Sequence, residues 1–303
     1  METTNTKGVI AAVAEKKAAP ATANKPKTPV QILDAMLNND SIQNELKGTL
    51  KEGAASFSTS MLNLVRDDPL LQTCNQKEVL AEGLKAAALR LPIEKNLGFA
   101  YIIPYKDHGV PKPQFQIGYK GYIQLALRTG KYRHINAGVV YEGEFLKYDK
   151  QKAMLDISGE RVSDKILGYF AYIELLGGFS HATFWTEKEV RAHASNSPAY
   201  KSGAKVWREH FDAMAKKTVL SNLLKVYGIM SAEMNAAFDI DNGSKAISQK
   251  IEREIEAYGE EKSPELDKKS TAAPEQSDPI PAENNQTAED DYPFSVTDAE
   301  AKQ

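Results

Sequence analysis

Gln114 to Tyr141 reads QFQIGYKGYIQLALRTGKYRHINAGVVY, and its hydrophobic period changes twice. Phe115 and Ile117 alternate with Gln114 and Gln116, as in a half-buried strand. Gly118 and Gly121 bracket Tyr119 and Lys120 at a change of direction. Tyr122, Ile123, Leu125, Ala126 and Leu127 then predict a short, largely apolar helix. Arg128 falls in its last turn, where a cation suits the dipole, and Gly130 stands just past the end as a C-cap. From Arg133 the pattern is extended again. Lys120, Arg128, Lys131 and Arg133 therefore gather near the two ends of one helix, among Tyr119, Tyr122 and Tyr132. That mixture suits a nucleic-acid strand, with phosphates on the cations and bases on the rings. It equally suits a core helix with solvated ends, and this stretch alone leaves both readings open.

Outward from that stretch, charge is unevenly spread. The 303 residues carry a net charge of −3, but residues 104–230 hold 19 basic and 12 acidic side chains, and residues 231–303 hold 7 and 18. A basic middle followed by an acidic tail points to polyanion binding plus a separate element. The single cysteine, Cys74, excludes an internal disulfide framework and suits a reducing cytoplasm. No apolar run long enough to span a membrane occurs, and Lys16-Lys17 is not followed by the apolar region of a secretory signal.

Residues 1–29 have few large apolar groups and are expected to be disordered. Val30, Ile32, Leu33, Met36 and Leu37 predict a helix with Pro29 at its first position, and a weaker one follows near Ile42 to Leu50. These two are expected to pack on the core or on a neighbouring subunit. Thr59 or Ser60 is expected to cap Met61–Arg66, which Pro69 ends. Asn75 and Glu78 predict a capping box for a helix from Gln76 to Leu89. Phe99–Tyr105 and Gln114–Ile117 read as a hairpin around the loop Lys106–Lys112. Ile135–Tyr141, Lys152–Ile157, Ile166–Leu176 and Phe179–Trp185 read as an antiparallel meander, with its tightest turn at Gly177-Gly178. In it Tyr169, Ala171, Ile173 and Leu175 fall on one face, and Phe170, Tyr172 and Glu174 on the other. Thr186 and Glu189 cap a helix Glu187–Ala194, and Asn196–Gly203 forms a loop. A long helix from about Ala204 to Tyr227 would place Lys205, Arg208 and Lys216 on one face, beside Trp207, Phe211 and Met214. Residues 231–258 are expected to be helical and 260–303 disordered.

The fold class expected is α+β: an antiparallel β-meander packed on a long helix, with additional N-terminal helices and disordered termini. The domain plan is 1–29 loose, 30–240 a binding and oligomerisation core, and 241–303 a C-terminal helix with an acidic tail. No phosphate loop, CxxC or HExxH motif is present. His108, His181 and His193 lack metal-ligand spacing, and Asp149, Asp156, Glu160 and Asp164 read as turn and surface carboxylates. No cofactor or catalytic constellation is expected. An RNA-binding module and a metal-dependent nuclease remain as alternative classes.

Several coupled segments carry a resemblance. AYIIPY at 100–105, FQIGYKGYIQLALRTGKY at 115–132, Val140-Tyr-Glu-Gly-Glu-Phe145, Trp207, FDAMAKKTVL at 211–220 and Leu223-Leu-Lys225 resemble, in order and spacing, the hallmarks of the RecT family of phage and prophage recombinases. The likeness covers about residues 60–235. It implies an annealing-protein-like β-β-β-α core and an ATP-independent protein that binds single-stranded DNA, assembles into rings or helical filaments, and pairs it with a complementary strand. It also implies a 5′-to-3′ exonuclease partner and a cytoplasmic setting in a bacterial host. On that resemblance Lys112, Gln114, Gln116, Tyr119, Lys120, Arg128, Lys131, Arg133, Lys205, Arg208, Lys216, Lys217 and Lys225 are the candidate DNA-binding residues. Phosphate contacts position a strand without reading its sequence, and Tyr119 and Phe115 would stack or wedge. In the tail, Glu289-Asp-Asp-Tyr-Pro-Phe294 is similar to the acidic tip of bacterial single-strand-binding proteins, although nine residues follow its Phe294. The host single-strand-binding protein is thus a second expected partner.

Overall fold

The computed structural model describes residues 27–201 and 205–241. The expected loose N-terminus before residue 27, the helical positions Ile247, Ile251 and Ile255, and the acidic tail lie outside the described residues.

Helices come first, and their ends follow from local chemistry. Thr28 and Gln31 form a reciprocal capping box around Pro29, opening α1 (Pro29–Leu37). Asn39 caps α2 (Asp40–Leu50). Leu33, Leu37, Ile42 and Leu46 are fully buried, so both helices pack into the core of their own chain. The next helix, α3 (Ala54–Asp67), starts earlier than expected. Thr59 and Ser60 sit inside it as neither cap nor boundary. Their hydroxyls donate to Ala55 O and Ser56 O, each at 3.0 Å, and a hydroxyl satisfied by the preceding turn does not end a helix. Asp68 and Pro69 open the short α4 (Pro69–Thr73). Asn75 caps α5 (Gln76–Ala88) by accepting from Lys77 N at 2.9 Å. That bond, two residues on, takes the place of the expected box with Glu78.

The hairpin is longer and tighter than its sequence suggests. Strands β1 (Ala100–Asp107) and β2 (Val110–Ile117) pair from Ala100↔Ile117 to Asp107↔Val110. The expected loop shrinks to His108-Gly109, with φ of 47° and 85°. Two positive φ values give a turn whose twist matches the strands, so pairing runs to its edge. Lys112 therefore lies on a strand, opposite Tyr105. Helix α6 (Tyr119–Arg128) follows as expected, with Gly130 at φ 65°.

Five strands follow: β3 (Tyr132–Tyr141), β4 (Lys147–Asp149), β5 (Met154–Asp156), β6 (Ile166–Leu175) and β7 (Ser180–Thr186). The antiparallel sheet has the order β3-β6-β7, turning at Gly177-Gly178 with Gly178 at φ 88°. The strand expected over 152–157 does not join it. β4 and β5 form a ladder only with each other, because the charged run around Lys147 to Lys152 gives the sheet no apolar row to bury, and they meet β7 through Ala182 N, which donates to Ala153 O at 2.8 Å. Phe145 and Tyr148 instead hold this ribbon against Phe184, at ring distances of 5.0 and 6.1 Å. The alternation in β6 is as expected: Tyr169, Ala171 and Ile173 are wholly buried on one face.

Thr186 and Glu189 form the expected box at the start of α7 (Glu187–Ala194). A short α8 (Pro198–Lys201) falls in the expected loop. The single long helix is in fact two, α9 (Lys205–Glu209) and α10 (Phe211–Tyr227), broken at His210 with φ −131° and ψ 40°. The break puts Asp212 in a first turn, where a carboxylate suits exposed amides, and there it accepts the Tyr169 hydroxyl at 2.6 Å. Ala215, Val219, Leu220, Leu223 and Leu224 of α10 are buried, and the helix packs on β6, β3 and α6. Last, α11 (Ala232–Asp241) buries Met234, Ala237 and Phe238, with Phe238 stacked on Tyr122 at 5.2 Å.

Candidate nucleic-acid interface

The outer face of β2 begins the site. Pro113, Phe115 and Ile117 point inward and are buried, so Lys112, Gln114 and Gln116 share the opposite face. Phe115, expected to stack on DNA, is 4% exposed and belongs to the core. Lys112 Nζ donates to Asp107 Oδ2 at 2.7 Å, and Gln116 Nε2 to Gln114 Oε1 at 3.4 Å. The Lys112 partnership raises the lysine pKa and lowers that of Asp107, through the hydrogen bond first and charge second.

This polar row leads to the N-terminus of α6. Its cap is Gly118, which offers no side-chain acceptor, and Tyr119 and Lys120 occupy the first turn. Helix amides and dipole there favour an anion. The turn sits close on the preceding loop: a Cβ at Gly118 would lie 2.3 Å from Gly98 O, and one at Gly121 2.3 Å from Phe99 O. Only glycine permits that approach at both positions. Lys120 is exposed and runs its methylenes past Gly98. Tyr101, paired with Gln116, stands beside Tyr119; burial first, and the neighbouring phenol second, raise its pKa. From the far end of the chain, Lys216 places its Nζ 4.7 Å from the centre of the Tyr119 ring. Tyr101 was not a candidate by sequence, though the hairpin register would have placed it opposite Gln116.

The other candidates lie elsewhere. Arg128 is at the opposite end of α6, about 15 Å along its axis. Its Nη1 donates to Leu89 O at 2.7 Å and its Nη2 to Arg90 O at 2.6 Å, closing the C-terminus of α5. Burial, then the nearby Arg90, lowers its pKa. Lys131 is exposed, and Arg133 bonds Glu174 at 2.8 Å. Lys217 is turned from the surface: its Nζ is 2.8 Å from Asp241 Oδ2, with side chains 15% and 17% exposed. Tyr122 donates to the same carboxylate at 2.5 Å, and burial, then Asp241, holds its pKa well above the usual phenol value. Lys225 lies 5.6 Å over Phe238. Arg208, exposed, is 3.8 Å from Glu209, and the break at His210 sets its helix, α9, apart from α10, which carries Lys216. Among the described residues no group of three His, Cys, Asp or Glu is placed to hold a metal ion, and no helix is long and apolar enough to cross a membrane.

Comparison with known proteins gives the family. A family model described as the RecT family matches residues 55–257. The chain is 35% identical over 264 residues to "Uncharacterized protein YqaK" of Bacillus subtilis (strain 168), across 86% of this chain and 90% of that one. It is 28% identical over 183 residues to "Protein RecT" of Escherichia coli (strain K12), across 58% of this chain and 67% of that one.

Proposed function

The chain belongs to the RecT family, and from that premise we propose that it is an ATP-independent annealing protein that binds single-stranded DNA along β2, the start of α6 and Lys216. Membership itself implies a single-strand annealing recombination protein. The finer reading is ours. The single observation that carries it is Lys216 over Tyr119, which joins two segments remote in sequence into one cationic, hydrogen-bonding row. Lys112, Lys120 and Lys216 would hold phosphates, and Gln114, Gln116 and the first turn of α6 would hydrogen-bond the backbone. Lys131, Arg133, Lys205 and Arg208 would extend the track on neighbouring copies in a ring or helical filament. Arg128, Lys217 and Lys225 are proposed to shape the protein instead. Base pairing supplies the annealing free energy, so no nucleotide need be hydrolysed and no covalent chemistry is required.

We further assign annealing and oligomerisation to residues 30–240, and contact with a 5′-to-3′ exonuclease and the host single-strand-binding protein to 241–303. The test mixes the pure protein with two labelled complementary oligonucleotides in the absence of nucleotide. Pairing faster than the spontaneous rate is expected, and slower pairing by Lys120→Ala with Lys216→Ala. A strict need for hydrolysable nucleotide, shortening of the strands, or preference for matched RNA in competition would each overturn the proposal.

A further inference from the structure

Three rings meet where the sheet ends, away from the row on β2. The Gly177-Gly178 turn returns the chain at Phe179, and His181 follows on the same face of β7, opposite Ile173. The end of α10 brings Tyr227 to them. His181 and Tyr227 stack at 3.8 Å with planes 23° apart. Phe179 lies 6.3 Å from His181 and 6.1 Å from Tyr227, at 23° and 30°. Despite this mutual packing, Phe179 is 45% and Tyr227 41% exposed. Two hydrogen bonds tie these segments to the start of β3: Leu176 N donates to the main-chain Lys131 O at 2.9 Å, and Ile229 N to the Tyr132 side-chain hydroxyl at 2.7 Å. Lys131 is exposed at the same edge.

Resting on the annealing reading above, we propose that the Phe179–His181–Tyr227 stack is a platform for an unpaired base of single-stranded DNA, with Lys131 beside it for the adjoining phosphate. Near-parallel, partly exposed rings accept any base, because every base has a π-face, and sequence tolerance is what annealing requires. Burial keeps the His181 pKa low, so the stack stays uncharged near neutrality. The rings favoured from sequence do not serve as well: Phe115 is in the core, and Tyr119 is covered by Lys216. A cation at the rim favours a polyanion over a second protein surface, for which the apolar patch alone would be enough.

The full-length chain is tested with Phe179→Leu and Tyr227→Leu together, which remove the rings and keep apolar volume. Binding of a fluorescein-labelled oligo-dT and of an abasic strand of equal length is measured from about 50 to about 300 mM salt. Expected is a loss of about tenfold or more for oligo-dT with an unchanged salt slope, and no loss for the abasic strand. Tyr227→Phe, which keeps the ring, should bind as wild type. Equal binding of oligo-dT by a folded Leu double variant overturns the platform, as does an equal loss on the abasic strand. A shift in sedimentation without DNA also overturns it, assigning the patch to contact between copies. Failure of the wild-type chain to bind either strand would strike the annealing reading instead.

Discussion

Replacing Lys217 by Ala separates two roles that look alike in the sequence Ala215-Lys-Lys-Thr218. The lysine bonds both Asp241 oxygens, at 3.0 and 2.8 Å, and each side chain of the pair is under one-fifth exposed. Its loss leaves the carboxylate with the Tyr122 hydroxyl as donor. Breaking a buried pair costs about 3–5 kcal/mol, and the remaining water access lowers that here to about 2 kcal/mol. For a domain of this size the melting temperature should fall by roughly 4–8 °C. Lys216 is half-buried like its neighbour, but its ammonium lies over the Tyr119 ring, and such a cation–π contact is worth about 1 kcal/mol. Lys216→Ala should therefore hardly move the melt, while reducing the log–log salt slope of single-strand binding by about 0.7. Circular dichroism melts and oligo-dT titrations across salt read both quantities. Adding Asp241→Ala to Lys217→Ala should recover part of the loss, with a coupling of about 1–2 kcal/mol. A Lys217→Ala protein with an unchanged melt and a flattened salt slope would refute the reasoning and return this lysine to the DNA site.

Arg128→Lys should lose about 1.5–3 kcal/mol, since a shorter ammonium does not reach both carbonyls as the forked guanidinium does; a urea melt reads this, with salt slope unaltered. Gly121→Ala, whose Cβ would meet Phe99 O at 2.3 Å, should displace the start of α6 and weaken oligo-dT binding more than it lowers the urea midpoint. His181 and His193 have pKa values lowered by burial, His193 also by Lys225. The folded state thus binds fewer protons, so their stability is present above about pH 6.5 and is lost as pH falls below it. Urea midpoints should drop between about pH 7.5 and about pH 5.5, less steeply in His193→Gln, which holds no titrating ring. Removing residues 260–303, rich in Asp and Glu, should leave oligo-dT affinity unchanged or tighter.

Local chemistry in the sequence determined much of the protein. Period and caps set α1, α2, α6, α7 and β6, because Thr28, Thr186 and Gly130 act within one turn of their own positions. The hallmarks around 100–132 and 207–225 likewise carried the family, since they are read without knowing what they touch. Local signals misled where a side chain had a partner far along the chain. The break at His210 accompanies the Asp212–Tyr169 bond, and β4–β5 forms its own ribbon packed by Phe145 on Phe184 of β7. The candidate cations show this most clearly. Sequence finds positive charge but not its neighbour, and only the tertiary structure decided that Lys217 faces Asp241 and Arg128 the Leu89 and Arg90 carbonyls just past α5, while Lys216 faces Tyr119. A charge's role is set by what lies within about one Debye length in space, and the sequence does not record that distance.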